Sequence, residues 1–221
     1  MKSYMDIKTT MINNFKQLRP GHWHQVERTG PGPTYSVEYS NYYNRIPSDW
    51  MSRIRYDVVK KYTGDFKTIC DFGYGNGAFL KYCVEASSYH KAYGYDISDY
   101  PVPEGVHSVD DFDSLEVDVM TFFDSIEHIE DEDLVPFIKK LKTKHIVISV
   151  PWFHEFLGPE WFVKWKHKKD NEHFHYFDVH GLVSLLTEAN CDIIHIGNEE
   201  DEVRKPVDMW PNILTIVAKK K

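Results

Sequence analysis

The sequence predicts an α/β fold: a mostly parallel sheet with helices on both faces and an antiparallel hairpin at its C-terminal end. Three observations carry this. From Lys67 onward, short apolar or β-branched runs alternate with amphipathic segments, the pattern of strands joined by crossover helices. The first of these strands runs through alternating glycines straight into a helix. The last two strands follow one another with no long helix between them, which is where an antiparallel hairpin enters such a sheet.

In chain order, Pro20, Gly21, Gly30, Pro31, Gly32 and Pro33 punctuate a segment that reads as an irregular lead-in. Ser48 offers an N-cap for a helix through about Tyr62, with Trp50, Ile54 and Val58 at helical spacing. Thr68 to Phe72 is a strand, Gly77 to Ala86 a helix and Lys91 to Asp96 a strand. Val106 to Val109 and Val117 to Phe122 follow as strands, Asp131 to Leu141 as a helix and His145 to Val150 as a β-branched strand. A helix over Asp178 to Ala189 leads to strands at Cys191 to Ile196 and Asn212 to Ala218. The expected organisation is a lead-in and first helix over 1–66 and a ligand-binding core over 67–221, with an aromatic-rich insertion at about 151–177.

Composition narrows the function. With 221 residues, 42 % hydrophobic and 27 % charged, the chain suits one soluble domain with a buried core. A net charge of −8 disfavours a surface built to grip nucleic-acid phosphates and favours a small-molecule partner. Cys70, Cys83 and Cys191 are too few and too irregularly spaced for a disulfide framework or a zinc site, so buried reduced thiols and a cytoplasmic location are expected. No signal peptide or membrane span is expected, and no pattern specifies an oligomeric state.

The chemistry concentrates in Asp71-Phe72-Gly73-Tyr74-Gly75-Asn76-Gly77. Glycines here let the backbone turn tightly and approach a ligand without a Cβ in the way, beside the free N–H groups of a helix start. A dinucleotide loop would read G-x-G-x-x-G and seat a pyrophosphate on the helix end. The spacing is instead G-x-G-x-G, and Asp71 would repel a pyrophosphate. It suits a cationic amine, as on the methionine end of S-adenosylmethionine. About 19 residues beyond Gly77, Asp96 ends a strand where an acid can accept both ribose hydroxyls.

On these residues the sequence resembles the class I S-adenosylmethionine-dependent methyltransferases, whose sheet is Rossmann-like. Phe123-Asp124-Ser125-Ile126-Glu127-His128-Ile129 resembles the segment after the fourth strand in the type 11 and type 23 families. His173-Phe174-His175-Tyr176-Phe177, through Leu182, Leu185 and Leu186 to Ala189, resembles a late stretch of the type 23 group. Asn190 stands where those families usually carry Gly, and Asn tolerates the same left-handed helix end. The resemblance implies S-adenosylmethionine as cofactor, held by Asp71, Gly73, Gly75, Gly77 and Asp96, with Phe123 close by. It implies Ile97 against the adenine and Asp110 or Asp111 receiving the adenine amine, with Phe112 beside it. A solvated acidic turn at Asp110, Asp111 and Asp113 is the alternative. Tyr35, Tyr39, Tyr42 and Tyr43 stand where such enzymes often close a lid, or form a packing stripe.

Asp124, Glu127 and His128 fall at i, i+3 and i+4, so one helical turn would align them. Three roles stay open. His128, with Glu127, serves as general base for a hydroxyl acceptor. Alternatively the three bind a divalent metal with His173 or His175, resembling the Glu-x-x-Glu-His of metal-dependent small-RNA 2′-O-methyltransferases and ubiquinone-pathway O-methyltransferases. In the third role Glu127 and His128 brace the loop without chemistry. The reading adopted has no metal. Trp152, Trp161 and Trp165 must cover substrate, a partner subunit or the domain's own core. The run Lys164, Lys166, His167, Lys168 and Lys169 meets either an anionic acceptor or solvent. The expectation is methylation of oxygen or nitrogen on a small molecule. Nucleic-acid or tRNA methylation, or a non-catalytic cofactor-binding partner protein, are the alternatives.

Overall fold

A computed structural model of the chain describes residues 14–27, 48–87, 91–98, 100–168, 172–206 and 209–221. The elements, in order, are β1 (Phe15–Arg19), β2 (His22–Gln25), α1 (Ser48–Thr63), β3 (Thr68–Phe72), α2 (Ala78–Ala86), β4 (Lys91–Tyr95), β5 (Val106–Ser108) and β6 (Glu116–Phe123). Then come a 3-10 turn (Ile126–His128), α3 (Leu134–Lys140), β7 (Lys142–Pro151), a second 3-10 turn (Glu155–Leu157) and α4 (Gly158–Lys164). β8 (His175–Phe177), α5 (Val179–Glu188), β9 (Cys191–Gly197), α6 (Asp201–Arg204) and β10 (Ile213–Lys220) complete the chain.

The main sheet has seven strands in the order β5-β4-β3-β6-β7-β10-β9. β5, β4, β3, β6 and β7 run parallel, whereas β10 is antiparallel to both β7 and β9. The mostly parallel sheet with its terminal antiparallel hairpin therefore stands as the sequence predicts. Side chains alternate across the pleat. Cys70, Met120, Ile146, Ile148 and Ile216 pack with Leu134 and Ile138 of α3 and Leu182, Leu185 and Leu186 of α5. Ile69, Val119, Val147 and Val217 face the other way, onto Val58 and Val59 of α1 and Phe79, Leu80 and Cys83 of α2. Both faces are thus covered. Cys70, Cys83 and Cys191 are buried and unpaired.

Helix ends explain the small boundary differences. α3 starts at Leu134 rather than Asp131 because Asp133 Oδ1 accepts the Val135 N–H at 3.0 Å, an N-cap. Asp178 caps α5 likewise, accepting the Gly181 N–H at 2.9 Å. Asn190 takes the left-handed end, with φ +66°.

The lead-in differs from expectation. β1 and β2 form a hairpin across Pro20-Gly21, and β2 pairs with β8 to make a separate three-stranded sheet. Pro-Gly between two short runs is a hairpin signal. His22, His24 and Gln25 disguise the second strand as polar, yet all three are buried. The aromatic insertion meets this sheet. Phe15, Phe153, Phe162, Trp165 and Tyr176 form a third core, with Trp23 and Trp161 against it. Trp161 and Trp165 thus cover the protein's own interior, and Trp152 packs on the main core. No helix among the described residues is long and apolar enough to cross a membrane.

Candidate functional site

In open α/β sheets, ligands bind outside the carboxyl ends of the strands where the strand order reverses. Here that point lies between β4 and β6, on either side of β3, and Asp71, the glycine loop and Asp96 stand at the ends of these strands. Gly73, Gly75 and Gly77 all have positive φ (+78°, +54° and +71°), which permits the tight loop from β3 into α2. Among the described residues a Cβ on Gly75 would meet nothing within 4 Å. Gly73 donates to the Tyr95 carbonyl at 2.7 Å, tying the loop to the end of β4. Asp96 follows directly. Its Oδ2 accepts the Gly75 N–H and its Oδ1 the Ser98 N–H, both at 2.7 Å. Glycine loop and second-strand acid therefore stand together at the carboxyl ends of β3 and β4, where such a fold has its ligand crevice.

Asp71 lies beneath that loop, buried, accepting the Thr121 hydroxyl at 2.6 Å. Burial pushes its carboxyl up to about 7, against the hydroxyl and the nearby Arg55. Ile97 is 75 % exposed at the edge of the crevice, an unusual position for a large aliphatic side chain. Asp110 and Asp111 are exposed, and Asp111 Oδ1 accepts the Asp113 N–H at 3.1 Å within its own turn. Phe112 packs inward against Phe72, Tyr95 and Phe137. Phe123 is buried, with the Arg55 guanidinium 4.5 Å from its ring centre. Tyr35, Tyr39, Tyr42 and Tyr43, the side chain of Ser48, and Lys169 lie outside the described residues.

Past β6 the structure separates residues that the spacing would align. Asp124 has φ +54°, so the helical turn begins only after it, and its side chain turns away. Asp124 accepts Arg204 Nη1 at 2.8 Å and Arg55 Nη2 at 2.9 Å. Glu200 bonds Arg55 Nε at 2.8 Å and pairs with Arg204 at 3.2 Å. Two guanidiniums and two carboxylates thus neutralise one another in a part-buried cluster. Burial opposes ionisation of Asp124, yet Arg204 and Arg55 hold it well below the usual carboxylate range.

Glu127 and His128 instead meet the segment leading into β8. Phe174 donates to the Glu127 carbonyl at 2.8 Å, and His128 Nδ1 lies 3.1 Å from the Glu172 carbonyl. These ties set His173 beside the pair, its ring 4.6 Å from that of His128. Glu127, His128 and His173 each offer a ligand atom, all within 4.8 Å of one another. Burial, and then Asp124, push Glu127 well above the usual carboxylate range. His175 goes elsewhere, with Nδ1 at 2.9 Å from His22 and Nε2 at 3.1 Å from the Asp131 carbonyl.

Sequence reasoning missed Arg55, Arg204 and Glu200. It also missed the partner of His167, whose Nε2 lies 2.8 Å from Asn212 Oδ1 and whose burial lowers it to about 4. Glu200 and Arg204 at i, i+4 were the visible part of this signal; their long-range partners were not.

Comparison with known proteins agrees with this geometry. The family model described as "Methyltransferase domain", the type 23 group, matches residues 39–196, more than half of the chain. No curated sequence is a significant match. Among solved structures, an S-adenosylmethionine-dependent methyltransferase from Clostridium acetobutylicum is similar with a TM-score of 0.58 and 12 % identity, covering 83 % of this chain and 98 % of that one. Human N-acetylserotonin methyltransferase, in complex with its methyl donor, gives 0.58 and 16 % over 76 % of this chain and 51 % of that one. The plantazolicin methyltransferase BpumL, with S-adenosylhomocysteine, gives 0.57 and 14 % over 83 % and 89 %. At these identities the likeness is one of fold. With the family match over most of its length, the chain belongs to the methyltransferase domain family and has the class I, S-adenosylmethionine-dependent fold.

Proposed function

We propose that the protein transfers the methyl group of S-adenosylmethionine to an oxygen or nitrogen of a small molecule bound beside the end of β6. In this reading Asp71 and the Gly73–Gly77 loop hold the amino-acid end of the cofactor, and Asp96 holds the ribose. Ile97 covers the adenine, Asp110 or Asp111 receives its amine, Phe123 lines the floor, and Tyr39 belongs to a lid. The donor is already activated, so the protein supplies alignment and a proton acceptor. His128 is suited to that second task. A carbonyl can only accept, so the contact with Glu172 puts the proton on Nδ1 and leaves a lone pair on Nε2.

The observation that carries the small-molecule reading is the neutral cluster past β6. Arg55 and Arg204 are both engaged by Asp124 and Glu200, so neither offers free charge to a phosphate backbone. The overall charge of −8 points the same way. The decisive test is incubation of the full chain with S-adenosylmethionine and a metabolite library, read by mass spectrometry for methylated products, beside a tRNA arm. A methylated small molecule, absent with Asp96→Ala, is the expected result. Methylation of tRNA alone would overturn the proposal.

A further inference from the structure

We propose that Glu127, His128 and His173 bind one divalent first-row transition-metal ion, of the zinc, cobalt or iron(II) class rather than magnesium. Three observations carry this. Glu127 is 1 % exposed, and among the described residues neither of its carboxylate oxygens has a hydrogen-bond partner. A buried carboxylate left without donors is costly unless a cation or proton meets it. Two imidazoles stand beside it, with His128 Nε2 at 4.0 Å from Glu127 Oε1 and His173 completing the set within 4.8 Å. His128 Nδ1 faces the Glu172 carbonyl, so Nε2 directs a lone pair toward Glu127. Metal-bound histidines are oriented in this way, the second nitrogen donating to a carbonyl or carboxylate.

The donor set selects the metal. Two imidazoles and one carboxylate suit zinc and its first-row neighbours, whereas magnesium asks for oxygen ligands in octahedral array. Asp124 adds nothing, since Arg55 and Arg204 hold it. This distinguishes the chain from an Glu-x-x-Glu-His arrangement, in which that position is a ligand. Three protein ligands leave a position open for water or for an acceptor oxygen. Ligand atoms at about 2.1 Å from an ion in a tetrahedral array stand about 3.4 Å apart, so about 1–1.5 Å of movement closes the site. An ion held by His128 Nε2 takes the lone pair that the function proposed above gives to the acceptor proton, so in the loaded site a metal-bound water or hydroxide would take that task; metal binding itself does not depend on the acceptor.

The test uses the full chain, stripped with chelator and titrated separately with cobalt(II), zinc and magnesium. About one cobalt(II) per chain is expected, with the strong visible bands of a low-coordinate site and displacement by zinc. Glu127→Gln and His173→Ala should each weaken cobalt binding by about 100-fold or more, above the 10–100-fold typical of outer-shell changes. Both should keep wild-type affinity for S-adenosylhomocysteine, measured by calorimetry. Cobalt binding in the variants equal to wild type, or a weak six-coordinate spectrum in wild type, would overturn the site. Magnesium binding more tightly than cobalt would overturn the choice of ion. If a variant fails to fold, the wild-type spectrum and competition with zinc decide the matter. Loss of S-adenosylhomocysteine binding by wild type would strike the cofactor reading and leave the metal result standing.

Discussion

Replacing Asp71 by Asn probes the cofactor crevice through proton linkage. The buried Asp71 carboxyl titrates at about 7 in the folded chain, raised from 3.8 by burial. The folded state therefore keeps a proton that the unfolded state has already released between those values. Stability from this group is greatest at low pH, falls as pH rises through that window and levels off above it. A shift of about 3 units corresponds to about 4 kcal/mol, an upper bound on the strain of the ionised form. Asn is neutral throughout and can still accept the Thr121 hydroxyl. The variant should match wild type near pH 4 and exceed it by up to about 4 kcal/mol above about pH 8. Cofactor binding should move oppositely, because the proposed placement sets the ammonium of S-adenosylhomocysteine toward this carboxylate. Losing a charged hydrogen bond of about 1.5–3 kcal/mol predicts roughly 10- to 100-fold weaker binding. Wild-type affinity should also improve as pH approaches 8. Urea unfolding and calorimetry across pH measure both. A stability difference that is flat with pH, with unchanged affinity, would refute the reasoning.

Other perturbations test the scaffold. In Gly77→Ala the new Cβ would lie 2.2 Å from Pro103 Cγ at φ +71°, so a loss of about 2–4 kcal/mol is expected. Gly75→Ala meets no atom within 4 Å and should cost only about 1–2 kcal/mol for its left-handed backbone; equal melting losses would contradict this. Arg204→Leu leaves Asp124 and Glu200 to share Arg55, with an expected loss of about 3–5 kcal/mol in urea; a loss under about 1 kcal/mol would show the cluster to be dispensable. His22 is buried, and burial and then His175 lower it to about 2. Arg19 can only donate to its Nδ1, at 3.2 Å, so Nε2 carries the proton that meets His175. The neutral form is required, so its contribution is complete above about pH 6.5 and declines below. Amide exchange in β1 and β2, corrected for intrinsic rates, should accelerate between about pH 7.5 and 5.5; unchanged protection would count against it.

The sequence by itself determined the parallel sheet, its terminal hairpin and the neighbourhood of the glycine loop and Asp96. These rest on local information. Strand alternation is visible within five to ten residues, and Gly73, Gly75 and Gly77, directly after the strand that holds Asp71, occupy one continuous turn with positive φ. Asp96 ends the very next strand, and neighbouring parallel strands leave it little choice of position. The left-handed Asn190 was legible for the same reason. The hairpin over Phe15–Gln25 was signalled by Pro20-Gly21, but its polar second strand makes sense only once β8 covers it.

Only the tertiary structure decided what happens past β6. Asp124, Glu127 and His128 share a helical spacing, yet the positive φ of Asp124 sends it to Arg55 and Arg204, 69 and 80 residues away. Whether His173 or His175 joins Glu127 depends on where residues 172–174 dock, which the Phe174 and Glu172 backbone contacts settle. Charge pairing and ligand sets are properties of distance through space. A linear pattern can name the side chains able to meet, but burial and chain packing choose which of them do.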